Sequence, residues 1–346
     1  MQNFIDQFTH CGTLFAKDHN HFFIGYGKRR WSQTPSTLSP SWYFPDFFLS
    51  NETPWFTHQY WEIVAKEDLQ KRLPNSGRAS SLHWTCSQMP LFETSFHELK
   101  QAFTAKKLYK AVPYLFQTSS RIPNAELILQ MLTSSLLYTS NTSLSNYGFW
   151  DEQEGLLGAT PEILFSLDGC NFSTMACAGT LYSGQKTSLD DEKKLMKEHR
   201  FVVEGIADAI GDFGSSILIG NTDWHAFQHL KHLLTPIHMS LNPGIDFLDL
   251  VHALHPTAAI GTYPKREGQE WLQNLDALIP RNRFGAPCAC AFQKKTLCLV
   301  AIRNVQWDQN EMRIGAGSGI IQESDLEMEK QEIEMKINTI KKMLKL

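Results

Sequence analysis

The chain has 346 residues, enough to bury one large core, and its 42% hydrophobic and 20% charged residues are the balance of an ordinary globular protein. A net charge of -4 excludes a general nucleic-acid partner, which needs a basic footprint, so affinity for an anion has to come from local groups. No stretch reaches the ~18 apolar residues of a membrane span, the start MQNFIDQFTHCGTLF lacks a basic leader, and seven cysteines without framework spacing fit reduced thiols, so the expectation is a cytoplasmic protein with no membrane partner.

Residues 1–95 are rich in aromatics broken by Pro and Gly, as in HFFIGYGKRRW and SWYFPDFFLSNETPWF. That composition suggests strands and turns contributing to a shared sheet, and no chemistry can be read from it. The run Lys28-Arg29-Arg30 either steers an anion or is a solvated loop. A helical period then appears over residues 95–107, with Phe96, Leu99 and Phe103 on one face, followed by a strand from about Leu108. Lys110 falls among the apolar neighbours of that strand. There it either snorkels to water or is desolvated, in which case its pKa falls and it can act as a base.

In GLLGATPEILFSL, residues 155–167, Thr160-Pro161 forces an extended or turning backbone and Glu162 opens the apolar strand ILFSL. An acid at such a strand mouth is either a solvated edge carboxylate or a group whose pKa rises far enough to donate a proton near neutrality. Ala178-Gly179-Thr180 ends a second strand with a glycine where backbone can approach a ligand. Residues 188–210 form the clearest internal helix, with Leu195, Val202 and Ile206 on its core face. With Val202 at zero, the period puts Glu198 at about 320°, on the buried side, and Glu204 at about 200°, facing water. A carboxylate in the first position has to be hydrogen-bonded, paired or bound to a cation.

Residues 229–237 carry His229 and His232 at strand or short-helix spacing, each either a hydrogen-bonded core residue or a ligand. ALHPTAAIGTYP, residues 253–264, is a Pro/Gly-punctuated loop, and its His252-x-x-His255 lacks the glutamate of a zincin helix. Cys288 and Cys290, one residue apart in an expected strand, do not have zinc spacing. TLCLVAIRNVQW and EMRIGAGSGII look like a hairpin turning at DQN, which places Arg303 inside the first strand, where a buried guanidinium wants a carboxylate. Ser324 and Glu327 give a capping-box signature for a last helix starting at Asp325, with an apolar stripe of Ile333, Ile337, Ile340 and Leu344. Relative to Ile333, Glu329 lies at about 320°, Lys336 at about 300° and Glu332 at about 260°. They form either an exposed ion-paired flank or, with a third acid, a site. No Walker A, dinucleotide, G-x-S-x-G or H-E-x-x-H motif occurs.

In their order and spacing, GATPE, AGT, KEHRFVVE, LKHLLTP, LHPTAAIG, AIRNVQ, GAGSGII and the final E-x-x-E-x-x-x-K make residues 96–346 resemble the chorismate-utilising enzymes, a family that includes isochorismate, salicylate, anthranilate and aminodeoxychorismate synthases. The resemblance implies an α+β fold, a single large domain of two packed, mainly antiparallel sheets with outer helices. Residues 1–95 would be the N-terminal portion of that fold and residues 96–346 its catalytic region. It further implies Mg2+ held by Glu198, Glu329 and Glu332, and a chorismate pocket of Gly179, Thr180, His232, Arg303, Gly317 and Lys336. By the same resemblance Glu162 matches the acid that protonates the departing C4 hydroxyl, and Lys110 stands where water-adding members carry a lysine and ammonia users usually a glutamine. Ala178 replaces the nucleophilic lysine frequent in aminodeoxychorismate synthases. These features imply an isochorismate synthase, a monomer working without a glutaminase subunit, with salicylate synthase or an amine-adding synthase component as alternatives. Three positions depart from the family's usual pattern: Leu115 where many relatives have arginine, the loop TYPKREG, and Phe284 at an aromatic pocket position.

Overall fold

The computed structural model describes residues 2–74, 82–140, 142–182, 188–227 and 230–346. Among them, sixteen strands join one continuous sheet in which each registered pair is antiparallel. The early aromatic strands His21–Ser32, Ser41–Tyr43 and Trp55–Ala65 lie in the middle of its order. On one side of them come Pro287–Phe292, Lys295–Val300, Ile163–Asp168, Asn171–Tyr182 and Leu230–Ser240. On the other come Gly12–Ala16, Ser145–Trp150, Gly155–Thr160, Asn304–Trp307, Met312–Gly317 and Tyr114–Ser119. The two packed sheets expected are therefore two halves of one sheet.

A single buried cluster shows how the halves face each other. Phe15, Trp42, Phe56, Phe149, Cys288 and Leu299 touch in one core although their strands are not all neighbours, so the sheet curls over its aromatic centre. Such rings each remove a large apolar area from water and dominate core energetics, which explains the aromatic composition of the first 65 residues. Residues 1–95 also contribute the helices Gln2–His10 and Lys66–Arg72, which the strand-and-turn expectation did not include. The boundary expected near residue 95 falls inside the helix Met89–Thr104.

Two further cores lie under the helices. The helix Leu189–Ile210 packs Val202 and Ile206 with Leu250 and Leu254 of Phe247–Leu254. The helix Leu326–Leu344 packs Ile333, Ile337, Ile340 and Leu344 with Leu127, Met131 and Ile314. A separate three-stranded sheet, Thr262–Tyr263, Lys110–Ala111 and Ile320–Ile321, joins the two helical layers and carries Lys110 at its centre.

Three local expectations are corrected. Gly179 does not end a strand but forms a bulge inside Asn171–Tyr182, at φ +73°, where a side chain would be strained. Arg303 is not inside a strand. The run from Lys295 breaks after Val300, crosses between the halves of the sheet, and resumes at Asn304, leaving Arg303 at φ +57° in the break. The hairpin is thus Asn304–Trp307 with Met312–Gly317. The last helix is capped by Asp325, which accepts from Met328 N at 3.0 Å, while Ser324 turns inward and accepts from Ile321 N. Ser324 is buried at the end of the turn that follows Ile320–Ile321, so the aspartate one residue later takes over the cap.

Candidate active site

A cavity of about 760 Å3 opens where the bulged strand, the two acidic helices, the 255–261 loop and the glycine turn converge. Of the residues singled out from sequence, Glu162, Gly179, Thr180, Glu198, His232, Arg303, Gly317, Glu332 and Lys336 line it. Glu329 lines an adjoining cavity of about 550 Å3 that shares Thr180 and Glu332 with the first. Lys110 sits behind the wall, 1% exposed, under Glu198 and Gly319. His229 lies outside the described residues. Leu115 packs in the core with Ala316 and does not line the cavity, whereas Phe284 does, against the rings of Tyr114 and Phe116.

The helix Leu189–Ile210 delivers Glu198. Ser188 and Asp191 form a reciprocal capping box at its start, which fixes the helical phase and so the face on which Glu198 emerges. Glu198 Oε1 lies 3.4 Å from Lys110 Nζ, and a β-carbon at residue 319 would stand 2.2 Å from that oxygen and 3.0 Å from Lys110 Cε. Only glycine fits there. Lys110 Nζ also donates to Ala258 O at 2.7 Å. Burial pushes the Lys110 amine down and the Glu198 carboxyl up, each partly opposed by the other's charge, so both are driven toward their uncharged forms.

The remaining acids are paired in the same way. Lys194, one turn before Glu198, bridges Glu329 Oε1 at 2.6 Å, and Ser318 Oγ donates to the other oxygen of that carboxylate. Lys336 bridges Glu332 Oε1 at 2.6 Å and donates to Gly317 O at 2.8 Å. Burial raises the Glu332 carboxyl, but Lys336, by charge and hydrogen bond, together with Lys194 and Arg303 outweighs it and the net shift is downward. Three glutamates thus hold three lysines. Glu332 and Glu329 also raise the carboxyl of Glu198, which places all three acids within reach of one another's charge. As the side chains stand, no three His, Cys, Asp or Glu among the described residues form a metal-holding group.

Glu162 is the other acid of the cavity. It is 4% exposed, and burial pushes its carboxyl up to about 7 against the lowering effects of Lys110 and of a hydrogen bond from Thr257. Of the two sequence readings, the solvated edge carboxylate is excluded, since the group is buried and its pKa raised. His232 is likewise fully packed. Arg303 Nη2 approaches its Nε2 at 3.4 Å and can only donate, so Nε2 accepts and Nδ1 carries the hydrogen shared with Thr180 Oγ1 at 3.2 Å. Burial, then Arg303 and Lys336, hold its pKa well below the ordinary imidazole value, so it stays neutral.

Sequence reasoning missed Lys194, Ser318, Gly319, Thr257 and Arg281. Lys194 had a signal, since it lies four residues before Glu198 on the same helical face. Arg281 had none: it is 1% exposed, stacked between Phe47 and Tyr114 with its guanidinium carbon 4.2 and 4.0 Å from the ring centroids, and donates to Ile260 O and Val112 O.

The profile described as chorismate binding enzyme matches residues 57–345. Isochorismate synthase MenF of Pasteurella multocida (strain Pm70) is 26% identical over 259 residues, covering 70% of this chain and 58% of the relative. Anthranilate synthase component 1 of Methanothermobacter marburgensis is 28% identical over 204 residues, covering 55% of this chain and 44% of the relative. The chain therefore spans about half the length of these two curated relatives. The structure of the menaquinone-specific isochorismate synthase MenF from Escherichia coli superimposes with a TM-score of 0.76 at 18% identity, covering 98% of this chain and 90% of that one, a likeness of fold.

Proposed function

The chain belongs to the chorismate-binding enzymes, and from that premise we propose that it isomerises chorismate to isochorismate, adding water at C2 of the ring and expelling the C4 hydroxyl. The observation that carries this reading is the pair of opposed proton groups at one cavity: Glu162, held protonated to about 7, and Lys110, a buried amine pushed toward neutrality. Each lowers or raises the other's pKa, so they act across a common space. A donor and an acceptor tuned toward the same pH are what concerted proton transfer at two ring carbons requires.

In this mechanism Lys110 takes a proton from the water whose oxygen bonds to C2. Both ring double bonds shift, from C1=C2 to C1=C6 and from C5=C6 to C4=C5, the C4–O bond breaks, and Glu162 protonates the departing oxygen, which leaves as water. The two groups end as ammonium and carboxylate and exchange the proton back through solvent. For Lys110 to act, its contacts with Ala258 O and Glu198 have to open. Arg303 and Lys336, with the Gly317 backbone, hold the enolpyruvyl carboxylate, a role suited to a planar guanidinium and a compact ammonium. Neutral His232 donates to Thr180 and braces the ring side of the pocket.

Glu198, Glu329 and Glu332 are the proposed holders of Mg2+. Their all-oxygen donor set is the kind a hard divalent cation takes, and the lysine beside each would have to draw back for the ion to sit among them. Bound among them, the ion would supply charge neutralisation for the ring carboxylate of chorismate. Lys110 in place of glutamine and Ala178 in place of lysine favour water over amine as nucleophile, hence a chain acting without a glutaminase partner. Incubation with chorismate, with Mg2+ or with a chelator, followed by chromatography, tests this. Isochorismate formed only with Mg2+ is expected; salicylate plus pyruvate, or an aminobenzoate on adding ammonium, would replace the reading.

A further inference from the structure

Lys265 follows the two-residue strand Thr262–Tyr263 and lies outside the wall of the main cavity. Its Nζ donates to His252 O at 2.9 Å, Ala253 O at 2.8 Å and His255 O at 2.6 Å, using all three donors on the last turn and cap of the helix Phe247–Leu254. These are carbonyls a helix end leaves without an internal partner, and the negative end of the helix dipole favours a cation there. Among the described residues no carboxylate stands in ion-pair contact with it, and burial pushes its pKa down to about 8. A desolvated ammonium held by carbonyls alone is costly as surface decoration, and an apolar side chain could fill the same space.

The clamp closes the segment 255–265 into a ring of chain, and the groups inside that ring address the catalytic pair. Ala258 O receives Lys110 Nζ, and Thr257 hydrogen-bonds Glu162. Gly261 O accepts from Val112 N at 2.9 Å, and Tyr263 O from Tyr109 N at 2.8 Å. The strand at the ring's exit pairs Tyr263 with Lys110 and Thr262 with Ala111. Gly268 lets the chain fold back against Thr262, since a β-carbon there would lie 2.1 Å from the threonine hydroxyl.

We infer that Lys265 is a positioning residue for the acid–base pair, holding the 255–264 loop so that Thr257 and Ala258 O aim Glu162 and Lys110 into the cavity. The inference rests on the proposed roles of those two groups. Its primary test therefore does not use turnover: the carboxyl of Glu162, assigned by comparison with Glu162→Gln, is titrated by 13C NMR in the full chain. Thr257→Val removes a hydrogen bond that favours the carboxylate, so Glu162 then titrates at higher pH. Lys265→Met is expected to move it the same way, Lys265→Arg to leave it near its original position, and Lys265→Met added to Thr257→Val to move it no further. Should the wild-type chain make isochorismate, Lys265→Met lowers kcat about 10- to 100-fold, the range of a misaimed general acid, with KM changed less than about threefold. A Lys265→Met chain that loses thermal stability but titrates and turns over like wild type has lost only a helix cap, and the inference fails. If that variant does not fold, Lys265→Gln, which keeps part of the length and one donor group, is measured instead; an unmoved Glu162 titration there is equally fatal. Absence of isochorismate with a shifted titration would strike the proposed reaction and leave the positioning role standing.

Discussion

Replacing Glu162 by glutamine isolates the proton group on which the chemistry turns. In the folded chain this carboxyl binds its proton at about 7, against an ordinary value of 4.5 that it regains on unfolding. The folded state therefore holds the proton more tightly, and the stability this contributes is full below about 4.5 and lost as pH rises through about 7. At about 1.4 kcal/mol per pKa unit, linkage gives a loss of about 2.5 kcal/mol between pH 5 and pH 8 from this one group. Glutamine keeps the size and can still meet Thr257, yet it never ionises. Urea unfolding of both chains across that range should show wild type losing about 2.5 kcal/mol more than Glu162→Gln, an order-of-magnitude figure because other charges surround the site. On the proposed mechanism, the variant also loses turnover by about 100-fold or more, since nothing else protonates the leaving oxygen. Parallel stability curves would mean that Glu162 ionises as in the unfolded chain, and the acid of the mechanism would be gone.

Lys110→Gln should lower kcat for water addition by about 100-fold or more while changing KM little, because the side chain lies behind the cavity wall and contributes no direct substrate anchor. Full conversion of chorismate with water by that variant would exclude Lys110 as the base. Gly319→Ala puts a methyl group 2.2 Å from Glu198 Oε1 and 3.0 Å from Lys110 Cε, so it should cost about 1–3 kcal/mol of stability and separate the pair. Calorimetry of this variant that gave an unchanged melting temperature would show that the glycine turn and Glu198 are not in contact.

The parts of the site readable in sequence are those set by local periodicity. Glu198 is tied to Leu195 and Val202 by the helical turn, as Glu329, Glu332 and Lys336 are tied to Ile333, so their faces follow from spacing alone. Glu162 follows from a proline-forced start to an apolar strand. What stayed hidden depends on the path of the chain through space. TLCLVAIRNVQW is one apolar run, and nothing local says that it leaves one half of the sheet at Val300 and enters the other at Asn304. The partnership of Lys110 with Glu198, and of Lys194 with Glu329, joins segments far apart in the chain, which periodicity cannot see. Nothing periodic marks Arg281 or Lys265, yet each is fastened to backbone carbonyls of the cavity's own loop or of the helix that precedes it.

The pairing of three glutamates with three lysines also constrains how ligands arrive. Each pair carries no net charge, Glu162 is protonated below about 7, and His232 is neutral, so the acids offer an arriving cation no uncompensated negative charge. A divalent cation alone brings two positive charges among acids already balanced, beside the guanidiniums of Arg281 and Arg303. Entering together, a dianion and a divalent cation leave the net charge of a poorly solvated site unchanged, and so avoid the cost of burying an unmatched charge. On the proposed chemistry, binding of each ligand therefore has to strengthen the other, and by linkage the two enhancements are equal. On that chemistry the lysines are part of the specificity: by balancing the charge of the acids until both ligands are present, they weigh against occupation by a cation alone.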